Sequence, residues 1–204
     1  MKKLFLTLIT VLTLTSCTTD VEDRLLVYGI GVDYSDGEYT LSYQVFAPKG
    51  DAADSPVNIS EKNVAVISAE APTIKLCDRL LQQQTGKVIF AEDVEVIIMG
   101  ESVDGDIARE IISEYISSKS VYVGTHVAFC VGSASDALSI GKGGIGDPHA
   151  YEEILDSINS PRLLEIYNDL LFKGSAELTA LKIEKDEEGE LYPAGIGDAR
   201  VING

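Results

Sequence analysis

The sequence predicts an α/β (α+β) fold: a mixed β-sheet with helices packed on it, followed by the start of a second small α/β region. Three observations carry this. Short apolar runs of strand length are interleaved with segments whose apolar residues recur at helical spacing. Ser35-Asp36-Gly37 is a turn signal between two strand-like runs, which marks a β-hairpin. Strands and helices are mixed along the chain rather than segregated, the pattern of a sheet covered by helices.

The chain begins with Lys2-Lys3, an apolar run over 4–14 and Leu14-Thr15-Ser16-Cys17. A charged stretch, a short apolar stretch and small residues before a cut read as a secretory signal. The apolar run has about 11 residues, where a membrane-spanning helix needs roughly 20. A cysteine follows the cut, and Leu14-Thr15-Ser16-Cys17 resembles the bacterial lipobox, which implies that Cys17 is the first mature residue and the site of lipid attachment. Such a protein is anchored to a membrane rather than spanning it. Thr18-Thr19-Asp20 then serves as a polar tether.

The body follows in order. Residues 25–33 form an apolar run ending in small residues and an acid, a buried strand. Residues 38–46 alternate behind the turn as its hairpin partner. Residues 47–61 are polar with Gly and Pro, a surface loop. A third strand covers 64–68. Pro72 and Thr73 open a helix on Ile74, Leu76, Cys77, Leu80 and Leu81, and Thr85-Gly86 stops it. Strands are expected at 88–90 and 94–99. Asp104-Gly105-Asp106 leads into a second helix with Ile107, Ile111, Ile112, Tyr115 and Ile116 on one face. A strand is expected over 122–131, then a short helix capped by Ser133 through Ile140. Residues 148–158 and 162–172 are helix-like, with Pro161 as a first-turn proline of the second. Residues 177–185 alternate, 186–189 turn, and strand character resumes from Glu190.

Composition bounds the function. Loss of Lys2 and Lys3 leaves 14 basic against 33 acidic residues, a formal charge of −19. Such a surface repels phosphate backbones, which argues against nucleic-acid binding. It is also repelled by anionic headgroups, which leaves lipid on Cys17 as the anchor. The mature length suits one good core, or one domain and part of another. The divisions read from the sequence are a signal peptide over 1–16, an α/β domain over 17–175, and an incomplete second region over 176–204. The stretch 195–204 is expected to pack poorly without further chain beside it.

No catalytic constellation stands out. His126 lies in an apolar strand and His149 in a loop, and neither has metal-ligand spacing to a partner. There is no Gly-x-Ser-x-Gly elbow. Cys77 falls on a helix and Cys130 on a strand, and both read as free buried thiols; a pairing with each other or with His126 has no sequence support. The loop 141–146 lacks the Lys-Ser/Thr ending of a phosphate loop and reads as a connector. Gly29-Ile30-Gly31 is no dinucleotide fingerprint, and its small residues let backbones approach closely. Asp33, Asp36 and Glu38, and the acids at 186–190, lack the ligand pattern of a Ca²⁺ loop and read as solvated charge. No catalytic, metal or cofactor residue is assigned.

The order of the blocks carries a resemblance. The lipobox-like Cys17, then Gly29-Ile30-Gly31-Val32-Asp33, then a strand ending in Phe46-Ala47-Pro48, resembles the Ger(x)C family, the C-subunit lipoproteins of spore germinant receptors. The helix at 73–84 is similar to that family's first helix. The strand pair closing in Val96-Ile97-Ile98-Met99-Gly100-Glu101 is similar to its Ile-Gly-Glu ending. Ala134-Ser135-Asp136-Ala137-Leu138 is similar to its Ala-x-Asp-Ile-Leu, and 194–201 to the strand opening its second region. Two departures stand out. Val21-Glu22-Asp23-Arg24 replaces the family's Trp-Asp-x-Arg-Glu, with no Trp in the chain, and the family is longer toward the C-terminus.

The resemblance implies a non-enzymatic lipoprotein on the outer face of the spore inner membrane of a Gram-positive spore former. Its implied partners are integral-membrane germinant receptor subunits, in an assembly that answers small nutrient germinants. The alternative is an envelope lipoprotein that binds a small solute.

Overall fold

The structure, a computed structural model, describes residues 23–46, 64–139, 150–185, 187 and 191–203. The signal, Cys17, the loop at 47–61, the glycine loop at 141–146 and His149 lie outside the described residues. The elements are β1 (Arg24–Ser35), β2 (Glu38–Phe46), β3 (Val64–Ala71), α1 (Ile74–Thr85), β4 (Val88–Phe90), β5 (Val96–Met99) and α2 (Gly105–Ser118). After these come β6 (His126–Cys130), α3 (Ala134–Leu138), α4 (Ala150–Ser157), α5 (Leu163–Lys173), β7 (Ser175–Lys185), β8 (Leu191–Ile196) and β9 (Arg200–Asn203).

The nine described strands form one mixed sheet in the order β3-β2-β1-β5-β6-β7-β8, with β4 on β1 and β9 on β7. β1, β5, β6 and β7 are parallel neighbours, and β4 also runs parallel to β1. The flanks β2–β3 and β8–β9 are antiparallel additions. The expected α/β sheet is therefore present. Its hairpin turn sits at Asp36 and Gly37, both with positive φ (52° and 86°), which matches the twist of the flanking strands.

Helices cover both faces, which explains why β5 is apolar at every position instead of alternating. Ile97 and Met99 face a core shared with Cys77 and Leu81 of α1, Ile111 and Ile112 of α2, and Ile166 of α5. Val96 and Ile98 face a second core with Ala134, Ala137 and Leu138 of α3 and Tyr151 and Leu155 of α4. The helix ends follow the sequence signals. Thr73 Oγ1 accepts from the Leu76 amide at 3.3 Å and Asp104 Oδ1 from the Ile107 amide at 2.9 Å. Gly86 closes α1 in the left-handed region.

Three expectations need correction. The strand at 122–131 is shorter: Tyr122 to Thr125 form a turn, closed by the Thr125 amide on the Tyr122 carbonyl at 3.0 Å. Pro161 is not in the first turn of α5, because Arg162 is the N-cap and Glu165 reaches back to its amide at 2.9 Å. The tail at 195–204 is not loose over its described part. β9 pairs with Ser175–Leu178 of β7, and Ile202 is fully buried in the first core. Arg200 stacks over the Phe129 ring at 4.3 Å, and this contact between distant residues is invisible in local pattern. Residues 176–203, where the sequence suggests a second region, contribute strands to the same sheet as 24–130.

Candidate functional site

The two blocks at 29–33 and 134–138 dock on each other. A Cβ at Gly29 would meet Leu138 Cδ2 at 2.8 Å. One at Gly31 would meet Leu138 Cδ1 at 3.0 Å and the Ala134 carbonyl oxygen at 3.1 Å. The glycines thus leave bare backbone on β1, and α3 lies directly on it through Ala134, Ala137 and Leu138. The close approach expected from Gly29-Ile30-Gly31 exists, between strand and helix.

Asp33 fixes the helix start. Its two carboxylate oxygens accept from the Ala134 amide at 3.0 and 3.1 Å, and Oδ2 also accepts from Ser133 Oγ at 3.2 Å. A carboxylate at a helix start satisfies amides that have no partner within the helix. The other end of α3 is held from inside the protein. Gln44 Nε2 donates to the Leu138 carbonyl at 2.9 Å and Tyr151 Oη to the Ala137 carbonyl at 2.7 Å. Asp33 was expected to be solvated charge, and here it is a part-buried structural anchor. Open α/β sheets take ligands beyond the C-terminal ends of their parallel strands. In this chain the Asp33 carboxylate already fills the anion position there. Glu101 and Gly132 close the adjoining rim, the Glu101 amide on the Gly132 carbonyl at 2.9 Å and the Gly132 amide on Glu101 Oε2 at 3.3 Å.

A cleft of about 210 Å³ opens between α1, the end of α2 and β4, lined by Tyr43, Asp78, Gln82, Tyr115 and Lys119 among others. The Tyr43 hydroxyl donates to Asp78 Oδ1. Burial pushes the Asp78 carboxyl above the ordinary aspartate range, against the lowering effect of that hydrogen bond. The Tyr115 hydroxyl is fully buried and finds no hydrogen-bond partner among the described residues. The cleft has groups for a water or a small polar molecule, and no nucleophile paired with a base.

His126 is buried, and its Nε2 meets Asp156 Oδ1 at 2.9 Å; Arg162 binds the same oxygen at 2.7 Å. Arg162 also donates to the Gly124 carbonyl at 2.7 Å. The histidine therefore ties β6 to the end of α4 and the start of α5, a structural cross-brace. Asp156 stands 30 residues from His126 in sequence, so no spacing rule could have found it. Among the described residues no group of three or more His, Cys, Asp or Glu is placed to hold a metal.

Both cysteines are free and buried. Cys77 packs in the first core and Cys130 in the second, on opposite faces of the sheet, so they cannot pair. Burial raises both thiols, Cys130 to about 12, which keeps them neutral and unreactive at physiological pH. Cys17, the one residue assigned a role from sequence, lies outside the described residues. No described helix is long and apolar enough to cross a membrane.

A family model described as the spore germination protein N-terminal domain matches residues 18–183. Comparison with curated proteins and with solved structures finds no match. The matched span contains both docked blocks, 29–33 and 134–138.

Proposed function

Since the chain belongs to the spore germination protein N-terminal domain family and so has a role in germination, we propose that it is a lipid-anchored subunit of a nutrient germinant receptor. In this reading Cys17 carries the lipid and holds the chain on the outer face of the spore inner membrane. Its partners there are integral-membrane receptor subunits, and it catalyses nothing itself.

The family match is the observation that carries the reading. Leu14-Thr15-Ser16-Cys17 behind a short apolar run supports the anchor. The described body supports a binding or assembly role. Its most constrained feature, α3 capped by Ser133, seated on Gly29 and Gly31 and held at its first amide by Asp33, is spent on architecture. Its thiols are buried, and its buried histidine braces three elements.

The test is recovery of the chain from detergent-solubilised spore membranes through an affinity tag. Integral-membrane receptor subunits are expected to come with it. Recovery of the chain alone from intact membranes contradicts the assembly.

One observation favours the second reading, an envelope lipoprotein that binds a small solute. The cleft at Asp78 holds a fully buried Tyr115 hydroxyl without a protein partner. Native mass spectrometry on gently purified chain decides it: a bound small molecule lost in Asp78→Asn supports solute binding, and a ligand-free mass removes it.

A further inference from the structure

We propose that the end of the sheet where the parallel strands begin is a lipid-contacting surface, seated against the headgroups of the bilayer that holds Cys17. This rests on the reading of Cys17 as the lipid site. β1, β4, β6 and β7 all start at this end. Val88 is the first residue of β4, and Tyr122 and Val123 form the turn before β6. α5 bridges the starts of β6 and β7: the Leu164 amide bonds the Val123 carbonyl at 3.0 Å, and Gly174 alone separates Lys173 from β7. Leu164, Leu171 and Phe172 therefore belong to the same end.

Six of the eleven exposed large apolar side chains among the described residues lie here, with Phe172 84%, Tyr122 64%, Leu171 60% and Val88 52% exposed. Large exposed apolar groups concentrated at one end of a molecule mark an interaction surface.

Two observations commit the surface to lipid. The first is chain length. Six residues, seven Cα–Cα steps, lie between Cys17 and Arg24, the first residue of β1. Fully extended, that stretch reaches roughly 24 Å, so this end of the body is the one nearest the bilayer and stays within that distance of it. The second is charge. Arg24, Lys87 and Lys119 sit at this end, where long basic side chains can lay their stems on apolar surface and reach phosphates. Three of the carboxylates on α4 and α5 have partners: Asp169 with Lys173 at 2.8 Å, Asp156 with Arg162 at 2.7 Å, and Glu165 with the Arg162 amide. At the far end, Asp36, Glu38, Glu101, Asp104, Asp106 and Asp136 follow the C-terminal ends of the strands. Acids thus stand at both ends of the sheet, Asp23, Glu92, Asp93 and Glu95 among them at this one, so the surface suits zwitterionic rather than anionic headgroups.

The chain has no Trp, so one introduced Trp reports alone. Full chain processed and lipidated in a Gram-positive host is placed in phosphatidylcholine vesicles with brominated acyl chains. Phe172→Trp is compared with Val131→Trp, an exposed position after the C-terminal end of β6. Intact mass on the same sample reads the lipid. Unchanged far-UV dichroism confirms that each variant is folded. With the lipid present, Phe172→Trp is expected to be quenched roughly twofold and shifted to the blue, as for an aromatic seated in the interface, and Val131→Trp to stay unquenched. Equal quenching at the two positions, or none at Phe172→Trp in lipidated chain, overturns the surface and leaves the anchor standing. None at Phe172→Trp also leaves this end free for a protein partner. A chain without the lipid mass overturns the anchor reading, and this proposal with it.

Discussion

Gly100→Ala tests whether Asp33 is held in place by the absence of a side chain opposite it. A Cβ at Gly100 would overlap Asp33 Oδ1, and it would stand 2.9 Å from Asp33 Cγ and 3.1 Å from the Ala134 amide nitrogen. Asp33 must then leave its three hydrogen bonds to Ser133 and Ala134. Loss of a charge-assisted cap costs about 1–2 kcal/mol. The shift forced on α3, which has no slack against Gly29 and Gly31, adds about 1–2 kcal/mol of overpacking. The expected destabilisation is about 2–4 kcal/mol, a large part of a domain's stability. Asp33→Ala removes the group that the new methyl strikes, so the double variant is expected to be more stable than the sum of the singles by about 1–2 kcal/mol. Urea unfolding followed by far-UV dichroism, in a Cys17→Ala background free of lipid, gives all four corners of the cycle. Additive effects, or a Gly100→Ala cost under about 0.5 kcal/mol, would refute the docked arrangement of β1 and α3.

Further outcomes follow from the interior. Burial raises the Cys77 and Cys130 thiols, Cys130 to about 12, so neither should react with a thiol reagent at pH 8 until urea unfolds the chain; rapid labelling of folded protein would contradict their placement. Asp78 has a folded-state carboxyl raised by burial, so its contribution is fully present below the ordinary aspartate value and lost as pH rises through the raised one. Asp78→Asn should therefore flatten the pH dependence of stability between those two values and leave neutral stability equal or higher, which urea midpoints across pH measure. Gln44→Leu leaves the buried Leu138 carbonyl without its 2.9 Å donor and should cost about 1–3 kcal/mol in the same unfolding assay.

Local pattern carried much of the fold. The hairpin at Asp36-Gly37, the N-caps at Thr73 and Asp104 and the stop at Gly86 each obey a rule of a few residues, and each stands where the sequence puts it. The boundaries moved where tertiary contacts decide them. Tyr122 to Thr125 have strand-like residues, yet the chain turns there to bond the start of α5. The role of Asp33 was hidden for the same reason. Its partners are 100 and 101 residues away, and its neighbours Asp36 and Glu38 made it look like part of an exposed acidic turn. The resemblance rested on the blocks at 29–33 and 134–138, and they are the two surfaces that must fit each other in space. The packing of β9 escaped because one buried residue, Ile202, supplies its contact with the core, too little for periodicity to register.

Anchoring through Cys17 is the claim on which the receptor-subunit reading and the lipid-facing surface both depend. Intact mass spectrometry of the membrane fraction from a Gram-positive host, wild type beside Cys17→Ala, tests it directly. The account predicts a diacylglyceryl mass on a chain beginning at Cys17, with Cys17→Ala unmodified and released from the membrane. An unmodified wild-type chain found outside the membrane would contradict it.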